Sequence, residues 1–202
     1  MGYYAVAKGR QVGIFHTWAE CQQSVKGFKN ALFRKTETRE EAEAFITPQE
    51  EIVPAYYVYT DGSCIHNGYK NASAGIGIYF GPGDPRNVSK AIEGKQSNNT
   101  AELTALIEAY TILEKDIQQG VPITLVSDSE YAIRCATSYG LKCESQGWPD
   151  IPNRELVKRA FGLYRDKTIR FLHIKAHTGK KDAHSIGNAC ADELAGQASE
   201  TS

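Results

Sequence analysis

Four acidic residues stand at positions where carboxylates could do chemistry together. Asp61 closes the run AYYVYTD, Glu102 lies in TAEL, Asp128 closes ITLVSD, and Asp192 lies in NACADELAG. The runs before Asp61 and Asp128 read as buried strands, while Glu102 and Asp192 fall in the early turns of helical patterns. All four therefore belong at element ends. Were the strands of Asp61 and Asp128 neighbours, four carboxylates would converge on one cleft. Like charges a few Å apart raise one another's pKa, and hard divalent cations relieve that repulsion. Mg²⁺ prefers oxygen ligands and keeps several waters, which suits acids without a thiolate or imidazole cage. Two such ions about 3.5 to 4 Å apart stabilise the attacking and the leaving oxygen of an in-line phosphoryl displacement. That is nuclease chemistry.

Each acid also has an ordinary reading. Asp128 before SEYAI would make a good N-cap, Asp61 could form a turn, and Glu102 and Asp192 would favour a helix dipole. Taken singly, those readings win; the joint placement of four reverses the preference. A histidine joins them. In IRFLHIKAH, alternation puts Phe171, His173, Lys175 and His177 on one side, so His177 emerges at the strand's end, where an imidazole can carry protons near pH 7. A rival zinc set of His173, His177, His184 and Cys190 has irregular loop spacing and is disfavoured.

The elements that must hold these residues fit a chain of 202 residues, enough for one domain plus a small module. A net charge of -1 argues against a polycation throughout. No apolar run nears the roughly 20 residues of a membrane span, and MGYYAVAKGR lacks a signal peptide's apolar core, so a soluble, cytoplasmic, reducing setting is expected. Five cysteines with no C-x-x-C pair argue against a disulfide framework and read as reduced small hydrophobes.

A polar stretch with a proline at each end, TPQEEIVP, marks residues 47–54 as a short linker between a module of residues 1–46 and a domain of residues 55–202. In the first segment, YYAVAKG and GIFHTW suggest a hairpin, Thr17 and Glu20 a capping box for WAECQQSVKGF, ALFRK a third strand, and Thr38 and Glu41 the cap of REEAEAFI. The second segment opens as a hairpin, AYYVYTD to AGIGIYFG, extended by VSKAIEG. A long helix follows from NTAELTALIEAYTILEKDI. Then come the strand ITLVSD, the helix SEYAIRCATSYG, an irregular LKCESQGWPDIPN, the helix RELVKRAFGLYRD, the strand IRFLHIKAH and a last helix NACADELAGQAS. This order gives an α/β fold: a mixed five-stranded sheet with flanking helices, preceded by a small α+β module.

At this point YTDGS, TAEL, VSDSEYAI, HIKAHTG and NACADELAG, in this order, resemble the type 1 ribonucleases H over residues 56 to about 198. The resemblance implies a ribonuclease H-like fold and an endonuclease that hydrolyses the RNA strand of RNA/DNA hybrids to 5′-phosphate and 3′-hydroxyl ends. It implies two Mg²⁺ ions, with Mn²⁺ as a substitute, held by Asp61, Glu102, Asp128 and Asp192. Asp61 would bridge the ions, Asp192 would help hold the one on the water side, and Glu102 and Asp128 the other. His177 would aid proton movement and product release. Asn67, Asn98 and Asn99 would contact the hybrid, and Lys95 and Ser97 a DNA phosphate. Residues 1–46 resemble the hybrid-binding, or viroplasmin-like, domain. That likeness implies that Tyr4, Trp18 and Phe33 meet DNA sugars and bases and that Arg34 and Lys35 meet phosphates, with Lys8, Arg10, Lys26 and Lys29 adding to a basic face. Double-stranded RNA would be a further ligand of that domain, and the protein a monomer.

The likeness has departures. Family members that carry a basic, Trp-rich protrusion have there what YGLKCESQGWPDIPN replaces with Lys142 and Trp148 alone, and KKDAHSIG is longer than in compact members. Two other functions compete: a protein that coats hybrids without cutting them, which four intact acids disfavour, and a phosphotransferase using DGS at a phosphate, which lacks a second Gly-rich loop.

Overall fold

In the computed structural model, which describes residues 2–46, 54–176, 179 and 181–200, the chain forms two compact units, Met1–Ile52 and Val53–Ser202. The expected linker lies outside the described residues apart from Pro54.

The first unit contains β1 (Tyr3–Lys8), β2 (Gly13–Phe15), α1 (Trp18–Val25), β3 (Leu32–Thr36) and α2 (Arg39–Ile46), its strands forming an antiparallel sheet in the order β2-β1-β3. Thr17 caps α1: its hydroxyl accepts from the Glu20 amide while Glu20 Oε2 accepts from the Thr17 amide. Two donors that a helix start leaves unpaired are thereby satisfied. Thr38 likewise accepts from the Glu41 amide, but the Glu41 carboxylate reaches back to the Glu37 amide. Val6, Cys21 and Val25 form a small core with Tyr4, Phe15 and Ala31 around it.

The second unit contains β4 (Tyr56–Ile65), β5 (Ser73–Tyr79), β6 (Val88–Ala91), α3 (Asn98–Gln118), β7 (Ile123–Ser127), α4 (Glu130–Ala136), α5 (Ser138–Ser145), α6 (Arg154–Tyr164), β8 (Ile169–His173) and α7 (Ala183–Glu200). Its five-stranded sheet runs β6-β5-β4-β7-β8, antiparallel among the first three and parallel from β4 to β8. Strand alternation sends Val58 into a core with Ile76, Ile78, Leu125 and the α3 residues Leu103, Leu106 and Leu113. Tyr59 points to the opposite face, where it packs with Val126 and Ala191 of α7. Both helices approach the sheet closely because glycines lie beneath them. A Cβ at Gly62 would come within 2.5 Å of the Ala101 carbonyl carbon of α3, and one at Gly77 within 2.7 Å of the Ala195 nitrogen of α7.

Three boundaries differ from expectation. The segment read as irregular begins helically: α4 stops at Ala136, Thr137 breaks the helix with φ -129° and ψ -108°, and α5 runs from Ser138 through Ser145. Gly140 lets α5 close on α6, since a Cβ there would meet the Phe161 ring at 2.6 Å. Helix α7 starts at Ala183 rather than Asn188, because Asp182 Oδ1 accepts from the His184 and Ser185 amides as an N-cap does. Strand β8 ends at His173. Among the described residues, no helix is long and apolar enough to cross a membrane.

Candidate active site

Strand lengths make the cleft. β4 pairs with β7 only from Tyr56 to Tyr59, whereas its pairing with β5 continues to Ile65. Asp61 therefore lies mid-strand, not at the strand's end as expected, but two residues past its last parallel partner. Asp128 lies one residue beyond β7. Asp128 does not cap α4, for Ser129 takes that place and accepts from the Ala132 amide. Its carboxylate is left for the cleft. Glu102 arrives from the first turns of α3, which rests on β4 at Gly62. Carboxylate oxygens of Asp61, Glu102 and Asp128 lie within 4.8 Å of one another.

Asp192, expected as the fourth member near a helix start, sits in the middle of α7 and outside that trio, although its carboxylate acts on Asp61. Asp61 is 6% exposed. Burial, and then the charges of Asp128 and Asp192, push its pKa up to about 7. Glu102 is raised well above the ordinary carboxylate range, first by burial and then by Asp61 and Asp128. The Gly62 backbone pulls both the other way. Glu102 Oε2 is buried and accepts no hydrogen bond. Such an all-oxygen set, mutually repelling and with an orphaned buried acceptor, fits a hard divalent cation.

The zinc alternative finds no support. Among the described residues, Asp61, Glu102 and Asp128 are the one set of three or more acids, histidines or cysteines able to hold a metal. His184 Nδ1 instead lies 3.2 Å from the Tyr59 hydroxyl, and His173 Nε2 lies 3.1 Å from the Asp128 carbonyl oxygen. His177 lies outside the described residues.

Beside the acids, the start of α3 meets the tip of the β4–β5 hairpin, where the Asn98 amide donates to Asn67 Oδ1 at 3.4 Å. Asn67, Lys95, Asn98 and Asn99 are exposed. Ser97 serves as the N-cap of α3, exchanging hydrogen bonds with Thr100. Lys95 Nζ donates to Asn153 Oδ1 at 3.3 Å, and Asn153 Nδ2 donates to the Tyr131 hydroxyl. Asn99 lines a groove with Tyr131, Tyr139 and Pro152. Sequence reasoning missed Asn153, Tyr131 and Tyr139. The available signal was Pro152-Asn153 before RELV, a helix start at which Asn153 takes a left-handed φ of 57°.

Residues 54–200 match the RNase H family model, close to three quarters of the chain. The chain belongs to the ribonuclease H family. Residues 2–46 match the ribonuclease H1 N-terminal domain. Curated relatives of this family member include mouse ribonuclease H1, 30% identical over 96% of this chain and 87% of the relative. Ribonuclease H of Schizosaccharomyces pombe is 28% identical over 96% and 95%. Among solved structures, a foamy viral protease-reverse transcriptase in complex with dsDNA aligns with a TM-score of 0.56 and 26% identity, over 75% of this chain and 97% of that one.

The N-terminal unit of this ribonuclease H family member carries its own surface. Ring centroids of Tyr4 and Trp18, and of Trp18 and Phe33, lie 5.7 Å apart, and Lys35 Nζ lies 6.0 Å from the Tyr4 ring. Trp18 is 44% and Phe33 42% exposed, so neither is core. Arg34, grouped with Lys35 in the sequence reading, takes the other face of β3, its guanidinium 5.0 Å from the Phe45 ring of α2. Period-two alternation separates adjacent residues of a strand. Lys8, Arg10, Lys26 and Lys29 are exposed.

Proposed function

We propose that this protein is a divalent-metal-dependent endonuclease that hydrolyses the RNA strand of RNA/DNA hybrids, leaving 5′-phosphate and 3′-hydroxyl ends. The observation that carries this reading is the convergence of Asp61, Glu102 and Asp128 at the edge of β4 that β7 leaves open. Kinship with ribonucleases H1 along nearly the whole chain supports the substrate.

Asp61, Glu102, Asp128 and Asp192 would hold the ions, magnesium with manganese as a substitute. Bound there, divalent cations supply charge stabilisation to the attacking and leaving oxygens of an in-line displacement. The protein's own groups do the rest. Asn67, Asn98 and Asn99 hold the hybrid across its shallow groove, where small amides can sense 2′-hydroxyls. Lys95 with Asn153 grips a phosphate, and His177 carries protons. The Tyr4, Trp18 and Phe33 face, with Lys35 and the surrounding basic residues, binds the duplex by stacking and by salt-sensitive phosphate contacts, which would extend to double-stranded RNA. The working form is a monomer in a reducing cytoplasm, in keeping with five free cysteines.

The test is a cleavage assay on matched RNA/DNA, RNA/RNA and single-stranded RNA, with and without Mg²⁺, for the native protein and Asp61→Asn. Cutting of the hybrid's RNA strand only with metal, lost in Asp61→Asn while hybrid binding persists, is expected. A hybrid bound but never cut by the native protein would overturn the proposal in favour of a coating function.

A further inference from the structure

Three buried side-chain atoms among the described residues lack a hydrogen-bond partner: Thr60 Oγ1, Glu102 Oε2 and Asn188 Oδ1. Thr60 precedes Asp61, and Glu102 is one of the acids. Asn188 stands on α7, four residues before Asp192 and so on the same side of that helix one turn away. It is 5% exposed, and its side-chain Nδ2 donates to Asp128 Oδ2 at 2.8 Å.

We propose that Asn188 is a positioning residue for Asp128, holding that carboxylate in its metal-binding orientation through the Nδ2–Oδ2 hydrogen bond. The inference rests on the reading of the acids as a metal site. A neutral amide suits the task better than a charged side chain. A lysine or arginine in its place would neutralise Asp128 and compete with a cation, and a carboxylate would add to the repulsion among the acids. Asn188 occupies one oxygen of Asp128 with a neutral donor and leaves the other free. Such a fixed partner is needed because the backbone does not aim Asp128 by itself. The residue follows the last residue of β7, and the capping bonds at the start of α4 go to Ser129. A buried polar group normally finds all its partners. Asn188 gives up one of them, which accords with a residue kept for the bond it makes to Asp128.

Position on α7 gives the contact its rigidity. Gly187 lies under the Tyr59 ring, where a Cβ would come within 2.6 Å, and Gly77 lies under Ala195. The helix that delivers Asp192 to Asp61 thus delivers Asn188 to Asp128, and one rigid element sets two of the acids.

The test uses the full chain without nucleic acid. Mn²⁺ binding is measured by calorimetry for the native protein, Asn188→Ala and Asn188→Leu, the last preserving side-chain shape so that the fold survives. Partners that orient metal ligands typically change affinity about tenfold to hundredfold, and a loss of that size is expected, with KM for hybrid unchanged and kcat reduced. In an Asp128→Ala background, Asn188→Ala should cost nothing more. Independently of any variant, the Asn188 side-chain amide resonance of the native protein should shift on titration with Mg²⁺. Native Mn²⁺ affinity in a folded Asn188 variant, or an amide resonance unmoved at saturating Mg²⁺, would overturn the assignment. Absence of Mn²⁺ binding by the native protein would overturn the metal reading itself, and the assignment with it.

Discussion

Gly62→Ala is the sharpest test of how the site is assembled. The added Cβ would lie 2.5 Å from the Ala101 carbonyl carbon and 2.8 Å from Ala101 Cβ. The first of these is helix backbone, which cannot rotate away. Carbon atoms sit at about 3.5 Å or more in ordinary contact, so α3 must withdraw by about 1 Å (about 3.5 less 2.5) or β4 must bend by as much. Glu102 follows Ala101 directly and moves with it, away from Asp61. Overpacking of this kind costs about 1 to 3 kcal/mol of stability, and a 1 Å misplacement of a reacting group can cost about a hundredfold in rate. Urea unfolding should register the first loss, and hybrid cleavage at saturating substrate the second, with KM little changed. Gly162→Ala in α6 is the control, because a Cβ there meets nothing within 4 Å and alanine favours a helix by up to about 1 kcal/mol over glycine. Native stability and native kcat in Gly62→Ala would refute the claim that this close approach positions Glu102.

The raised pKa of Asp61 predicts an unusual pH dependence for the metal-free protein. The folded state keeps a proton up to about pH 7 that the unfolded chain releases near 3.8. The group's contribution to stability is thus fully present below about pH 4 and lost as pH rises through 7, at about 1.4 kcal/mol per unit between them. Urea melts between those limits should show that loss without divalent metal and its suppression with Mg²⁺; a metal-free stability that climbs through the window would refute the assignment. At the other unit, Trp18→Ala removes the centre of the Tyr4–Trp18–Phe33 stack. In an Asp61→Asn background it should weaken hybrid binding by about 1 to 3 kcal/mol, measured by fluorescence anisotropy, and unchanged affinity over a salt series would exclude this face as a binding surface.

What the sequence makes legible follows from which signals are local. Strand runs ending near Asp61 and Asp128, the capping box of Thr17 and Glu20, and the apolar spacing of α3 are all written within a few residues of where they act. The open edge beside Asp61 is not, because it depends on β7 ending four residues after Ile123 while β4 continues to Ile65, a comparison between strands far apart in the chain. The sequence places Asp192 close to a helix start because Asp182 falls in a polar loop; with Asp182 capping α7, the helix gains a turn and more. The resemblance assigns Arg34 and Lys35 one role, whereas in β3 they face opposite ways, Arg34 toward Phe45 and Lys35 toward Tyr4. Asn153 carried only a weak cue, and its pairing with Lys95 spans 58 positions.

The glycines explain why the acids meet at all. Asp61 shares a face of β4 with Tyr59, toward α7, whereas Glu102 comes from a helix on the other face. Side chains from opposite faces of a sheet meet only at an edge, and only if the backbone between them is thin. Gly62 provides that: with no side chain beneath α3, the helix descends onto the strand and brings Glu102 to its edge. On the far face Gly77 and Gly187 do the same for α7, which brings Asp192 to Asp61 and Asn188 to Asp128. Burial assembled in this way raises Asp61 and Glu102 together, so the metal-free protein can hold its acids close only by keeping protons on them. Protons and divalent cations therefore compete for the same oxygens, and the packing that makes the site costly without metal is the packing that gives it affinity for one.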